Sequence, residues 1–165
     1  DHMFTRAART QIGAALVALT IGIAVYLFDR QADAFFLHHF HFTAQSPVAL
    51  FGVLADHLPS FTHTYAFILL TAVCLPPRTI SVLAACSAWF GIELVFEVGQ
   101  HPIVSERIVE RLPIWFGDMP FLEITIKYFR MGCFDPYDIL ALSMGMACAG
   151  LTFFLANKRS DHEHA

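Results

Sequence analysis

Residues 81–101 read Ser81-Val-Leu-Ala-Ala-Cys-Ser-Ala-Trp-Phe-Gly-Ile-Glu-Leu-Val-Phe-Glu-Val-Gly-Gln-His101. An uncharged apolar run thus leads straight into Glu93, Glu97, Gln100 and His101. On a helix, residues three or four apart share a face, so Cys86, Phe90, Glu93, Glu97 and Gln100 form one stripe, which His101 extends. Carboxylates at one end of a hydrophobic helix are expensive unless something there uses or neutralises them. The stretch therefore predicts a membrane-crossing helix with a polar working end.

The neighbouring sequence repeats this pattern. Pro76-Pro77-Arg78 precedes the run and cannot continue a helix, so the apolar residues before it form an antiparallel partner. Spans are predicted at 11–28, 61–75, 79–97 and 136–156, separated by long loops at 29–60 and 98–135. The expected fold is all-α: one domain, a four-transmembrane-helix bundle with interfacial segments in its two long loops. Within 29–60, Phe35, Phe36, Phe40 and Phe42 interleave with His38, His39 and His41, a mixture suited to the headgroup layer. Ser46-Pro47 reads as a helix start. The following Val48 to Leu54 is too short to cross, so a re-entrant or interfacial helix ending at Asp56 to Ser60 is expected. A short amphipathic helix is expected in 98–135, since a long structureless loop is unusual in a compact domain. Small residues at Ala14, Ala18 and Gly22, at Ala84 and Ala88, and at Ala141, Gly145 and Ala149 offer faces for close helix contact.

Composition agrees with a lipid solvent. Of 165 residues, 56% are hydrophobic and 15% charged, with mean hydropathy +0.57, whereas soluble domains carry roughly 25% charged residues. The net charge of −4 leaves no basic footprint for nucleic acid. Cys74, Cys86, Cys133 and Cys148 contain no CxxC pair and read as small buried hydrophobes. Asp1-His2 ahead of Met3 reads as an expression remnant. The first apolar run is too long for a signal-peptide core and no A-x-A-like cleavage site follows, so it reads as a retained anchor. Arg6, Arg9, Arg78, Lys158 and Arg159 all flank spans on one side, with almost no acidic company. This is the positive-inside pattern and places both termini in the cytoplasm.

Asp138 shares a face with Ala141 and Gly145, so Glu97 and Asp138 converge if the third and fourth spans touch. Close carboxylates must share a proton or hold a cation between them; Arg130, Arg107 and Arg111 are candidate cations. Asp135-Pro136-Tyr137-Asp138 is also a sound helix start, with Asp135 as N-cap and Asp138 in the first turn. Glu93 and Glu97 lie where the helix dipole disfavours negative charge. The candidate ligand-binding residues are therefore Glu93, Glu97, Gln100, His101, Arg130, Asp135 and Asp138. His57, His63 and His101, with Glu97, are an alternative ligand set for zinc or copper. No metal motif supports it, and neither metal nor cofactor is expected.

Leu58-Pro-Ser-Phe-Thr-His63-Thr-Tyr-Ala-Phe67, Glu97-Val-Gly-Gln100, and then Arg130, Asp135, Asp138 and Gly145 resemble the pattern of VanZ-like membrane proteins, over His57 to Gly150. The family places E-x-x-Q at the end of one helix and an R…D…D…G series leading into the next. One departure is Leu142, where the family usually has asparagine; any role for an amide one turn beyond Asp138 is absent here. The resemblance implies a multi-pass protein of the bacterial cytoplasmic membrane, whose glycopeptide-resistance member lowers susceptibility to teicoplanin, and implies no settled reaction.

The residues favour binding over catalysis. No serine, cysteine or histidine nucleophile stands beside a recognisable base, and neither a P-loop nor a lipid-phosphatase signature is present. The expected function is a polar pocket at the outer leaflet for a lipid headgroup, an envelope precursor or a partner group. The alternatives are a membrane enzyme with Glu97 and Asp138 as acid and base, and an accessory subunit. Membrane lipids, and other membrane-protein subunits, are the expected partners.

Overall fold

Thr5 begins the first helix by accepting a hydrogen bond from the Ala8 N–H at 3.2 Å. This cap satisfies a donor that the helix leaves open, and α1 runs Arg6–Phe28, starting earlier than its apolar core alone suggests. The computed structural model describes residues 5–29, 50–117, 119 and 122–163. The aromatic segment with His38, His39 and His41, together with Ser46-Pro47, Pro120 and Phe121, lies outside the described residues.

After α1 come α2 (Leu58–Cys74), α3 (Thr79–Gly99), α4 (Pro102–Arg111), α5 (Leu122–Met131) and α6 (Pro136–Glu163), and the described residues contain no strand. Proline within the first turn of α2, α4 and α6 presets those starts, since its missing N–H costs nothing there. The expected short helix ahead of α2 is a 3-10 turn, Gly52–Asp56, that feeds through His57 into α2. Ser60 consequently belongs to the first turn of α2 and does not end the preceding segment. The second long connection holds two ten-residue helices, α4 and α5, with a 3-10 turn Ile114–Gly117 between them.

Among the described residues three helices are long and apolar enough to cross a membrane: α1, α3 and the part of α6 from Pro136 to Lys158. They leave large aliphatic side chains on their outer surfaces, among them Val17, Ile80, Val95 and Leu151, with Val95 70% exposed. Contiguous apolar exposure on this scale is unfavourable in water and ordinary in lipid. α2, with 17 residues, spans only about 26 Å at 1.5 Å per residue. It is nevertheless the most enclosed helix, because α1, α3 and α6 all pack on it, burying Thr62, Thr64, Ala66, Ile68, Leu69 and Ala72.

Close approaches set the geometry. A Cβ on Gly145 would lie 2.7 Å from the Phe61 carbonyl oxygen and 3.4 Å from the Tyr65 nitrogen, so α6 touches the backbone of α2. Near the end of α1, a Cβ on Gly22 would lie 2.7 Å from Thr62 Oγ1. α1 therefore ends where α2 and α6 begin. Across the middle, Tyr65 and Thr152 hydroxyls meet at 3.0 Å, and the Trp89 indole N–H donates to Thr71 Oγ1 at 2.8 Å.

The small-residue faces divide. Ala141, Gly145 and Ala149 are buried as expected, but Ala84 and Ala88 are exposed, and α3 packs instead through Val82, Ala85 and Cys86. On α1 the buried stripe is Gln11, Ala15, Ala18, Gly22 and Val25. Only Cys86 of the four cysteines is buried; Cys74, Cys133 and Cys148 are exposed, which corrects the expectation that they fill the core.

Candidate functional site

α2 and α6 begin and α3 ends at one extremity of the bundle, and its polar groups meet there. The Asp135 carboxylate caps α6 by accepting the Tyr137 N–H at 2.9 Å, as the sequence predicts for an N-cap. The N–H of Asp135 in turn donates to Glu97 Oε1 at 2.8 Å. Glu97 is 7% exposed, and this bond is the only one it makes among the described residues. Its position at the C-terminal end of α3 is electrostatically unfavourable, but it lies against the positive N-terminal end of α6. The sequence alone offers no such compensation for Glu97; it comes from a helix that starts 38 residues further on.

Asp138, in the first turn of α6, faces α2. Its Oδ1 accepts a hydrogen bond from Ser60 Oγ at 3.2 Å and lies 3.1 Å from Nδ1 of His57. The same nitrogen is 4.0 Å from Asp135 Oδ2. The His57 ring also packs at 5.7 Å on the ring of Tyr137. Two carboxylates at the start of α6 thus face one imidazole from the start of α2, Ser60 supplies a neutral donor, and Glu97 of α3 joins the cluster through the Asp135 N–H.

The other candidates lie around this cluster. Glu93 is half-buried one turn further into α3. Gln100 donates through Nε2 to the Tyr128 hydroxyl on α5. That contact requires Gly132, where a Cβ would stand 2.6 Å from Gln100 Cδ. His101 packs edge-on against Phe134, with centroids 5.6 Å apart, and does not join the carboxylates. Arg130 is exposed in the last turn of α5 and makes no ion pair with the cluster. Arg107 and Arg111 are likewise exposed, on α4. The side chain that meets the carboxylates is therefore His57, which sequence reasoning placed only among alternative metal ligands. Its signal was weak: a histidine just ahead of a proline-started helix, at the same end of the chain's spans as Asp138.

His63 lies on α2 against Phe67, with ring centroids 5.8 Å apart, so His57, His63 and His101 do not converge. Among the described residues no group of three or more His, Cys, Asp or Glu side chains has the arrangement of a metal site.

α5 covers this end of α3. Phe96 stacks on Phe129 and meets Tyr128 edge-on, while Phe129 fills the space left by Gly99. The Tyr128 hydroxyl is pushed up to about 12, first by burial and then by the Glu97 carboxylate, with Glu93 and Tyr26 adding and the Gln100 hydrogen bond opposing. A raised native value means that the folded chain holds the phenolic proton more tightly than the unfolded one. The associated stability is whole below about pH 10 and is lost as pH rises towards about 12. The tyrosinate absorbance that Tyr128→Phe removes is expected to develop above about pH 11; its appearance near the ordinary tyrosine value would contradict this environment.

No protein-family model, no curated protein and no solved structure matches the chain.

Proposed function

We propose that the chain is a multi-pass protein of the VanZ-like type in the bacterial cytoplasmic membrane. α1, α2, α3 and α6 cross the bilayer, both termini are cytoplasmic, and the carboxylate cluster binds a polar group at the outer leaflet. Several features support this reading. Apolar side chains line the outer faces of three long helices. Arg6, Arg9, Arg78 and Lys158 lie at the end of the bundle away from the cluster, as the positive-inside rule requires of a cytoplasmic face. α2 is short for a span, but its neighbours enclose it, so its length need not match the bilayer on its own.

The observation that carries the functional reading is the imbalance of charge. Asp135 and Asp138 share the imidazole of His57, Glu97 is tied to the same cluster through the Asp135 N–H, and the second oxygen of Glu97 has no hydrogen bond among the described residues. Neighbouring carboxylates hold such an arrangement when a proton or a cationic group completes it. A lipid headgroup, an envelope precursor or a partner's cationic side chain supplies that group.

Native mass spectrometry of gently extracted protein tests the reading. The wild-type chain is expected to retain a bound molecule that Glu97→Gln and Asp138→Asn each lose by about tenfold, the worth of one charge-assisted hydrogen bond. Identical adducts on all three proteins, each folded by near-ultraviolet circular dichroism, would remove the basis for a carboxylate site.

A second reading, a membrane enzyme, has one observation in its favour. Nδ1 of His57 faces Asp138, an arrangement that orients the ring and leaves Nε2 available as a base. It replaces the expected Glu97 and Asp138 pair with His57, Asp138 being the orienting group. Turnover of envelope lipids that survives His57→Gln would exclude it.

A further inference from the structure

Beside the carboxylate cluster, on the far side of Gln100, an open hollow of about 480 Å3 lies between α4, the end of α5 and the end of α3. Arg130 and Gly132 form one wall, and Glu106 and Glu110, one turn apart on α4, form the other. Gln100 and Ser105 lie between them. Opposite charges on facing surface helices ordinarily close into an ion pair. Here none of Arg130, Glu106 and Glu110 does so with any described residue.

Packing on one side helps to hold the walls apart. Phe129, buried on α5, wedges against Gly99, and Ile108 of α4 reaches the same point, where a glycine Cβ would lie 3.5 Å from Ile108 Cδ1. Tyr128 is tied to Gln100. That hydrogen bond uses the amide nitrogen of Gln100 and leaves its oxygen as an acceptor, whereas Ser105 Oγ is engaged by the Pro102 carbonyl at 3.1 Å. The hollow therefore presents a guanidinium on one wall and two carboxylates on the other, with a volume in the range of small-molecule sites, roughly 300–1,000 Å3.

We infer that this hollow binds a phosphoethanolamine zwitterion, phosphate on Arg130 and primary ammonium on Glu106 and Glu110. A guanidinium is suited to the phosphate by its paired donors. An ammonium with three N–H donors serves two carboxylates and the Gln100 oxygen. A trimethylammonium has no N–H to give and binds best against aromatic faces, and among the described residues no aromatic side chain lines the hollow. Among the described lining residues a purely anionic headgroup meets two carboxylates for one arginine. The order of preference is ethanolamine, then choline, then glycerol headgroups. The inference rests on the membrane placement proposed above, which puts the end of α3 at headgroup depth, and is independent of ligand binding at Glu97.

The experiment is competitive retention by native mass spectrometry, with the full chain in nanodiscs of equal phosphatidylethanolamine, phosphatidylcholine and phosphatidylglycerol. Phosphatidylethanolamine is expected to be retained about tenfold over the others, the worth of one charge-assisted hydrogen bond. Arg130→Gln is expected to abolish that preference, and the double variant Glu106→Gln with Glu110→Gln to shift retention towards phosphatidylglycerol. All three positions are exposed, so folding is not at risk. Free O-phosphoethanolamine is expected to displace the lipid; displacement only by molecules carrying acyl chains overturns headgroup recognition. Equal retention of the three lipids, or a preference unchanged in both variants, overturns the inference. Glu97→Gln separates the two sites. Lipid lost in that variant but kept in Arg130→Gln belongs to the carboxylate cluster, which overturns the hollow and leaves the proposed function standing.

Discussion

Gly145→Ala is expected to destabilise the bundle by about 1–3 kcal/mol, and Gly145→Leu by about 3 kcal/mol or more, the cost of overpacking a contact that cannot relax. The atom in the way is the Phe61 carbonyl oxygen, 2.7 Å from where the new Cβ would stand, with the Tyr65 nitrogen and Thr64 Cβ close behind. A backbone group cannot rotate aside as a side chain does, so α6 must move away from α2. That motion also opens the pairing of Asp138 with His57 and Ser60 on the same two helices. Gly150, further along α6, supplies the control, because a Cβ there meets nothing within 4 Å. Gly150→Ala removes only the conformational freedom of glycine in a helix and is expected to stabilise by about 0.5–1 kcal/mol. Thermal unfolding in detergent reads both. Equal effects at the two positions would mean that the helices do not touch at Gly145.

His57→Asp is expected to be the most damaging single change at the polar end. It places a fourth negative charge where the imidazole now lies 3.1 Å from Asp138 and 4.0 Å from Asp135. Two unit charges about 4 Å apart repel by about 4 kcal/mol at an effective dielectric constant near 20, and the side chain is only partly screened, at 25% exposure. The loss is expected to be a few kcal/mol and to be greater at low salt. Asp138→Asn in the same chain removes the nearest repulsion and is expected to restore most of it. His57→Gln, which keeps a donor without adding charge, is expected to lie between. A double-mutant cycle on thermal stability measures the coupling; additive effects of His57→Asp and Asp138→Asn would exclude a direct interaction.

Much of the fold can be read from apolar runs bounded by proline and charge. α1, α3 and α6 coincide with such runs, and Pro76-Pro77 ends the α2 run at Cys74. Which face of each helix turns inward is less legible. Alanine is accepted by lipid and by a neighbouring helix alike, so Ala84 and Ala88 do not mark a contact, while Gln11 is buried although its type argues otherwise. At the polar end, the meeting of Glu97 with α6 follows from the shared depth of two helix ends. The partner of Asp138 does not, because His57 is 81 positions away and reaches it only through the packing of α2 on α6. Arg130 is close to Asp135 in sequence, but the last turn of α5 directs it towards α4. Nearness along the chain points to Arg130, and helix direction turns it away from the cluster.

The Asp29 carboxylate, just past the end of α1, accepts the N–H groups of Leu50 and Phe51, each at 2.8 Å. The chain that leaves the bundle at this point comes back to within one side chain of it. Its exit and return are thereby pinned to each other. One carboxylate thus acts as a clasp between the end of α1 and the residues that lead into the Gly52–Asp56 turn.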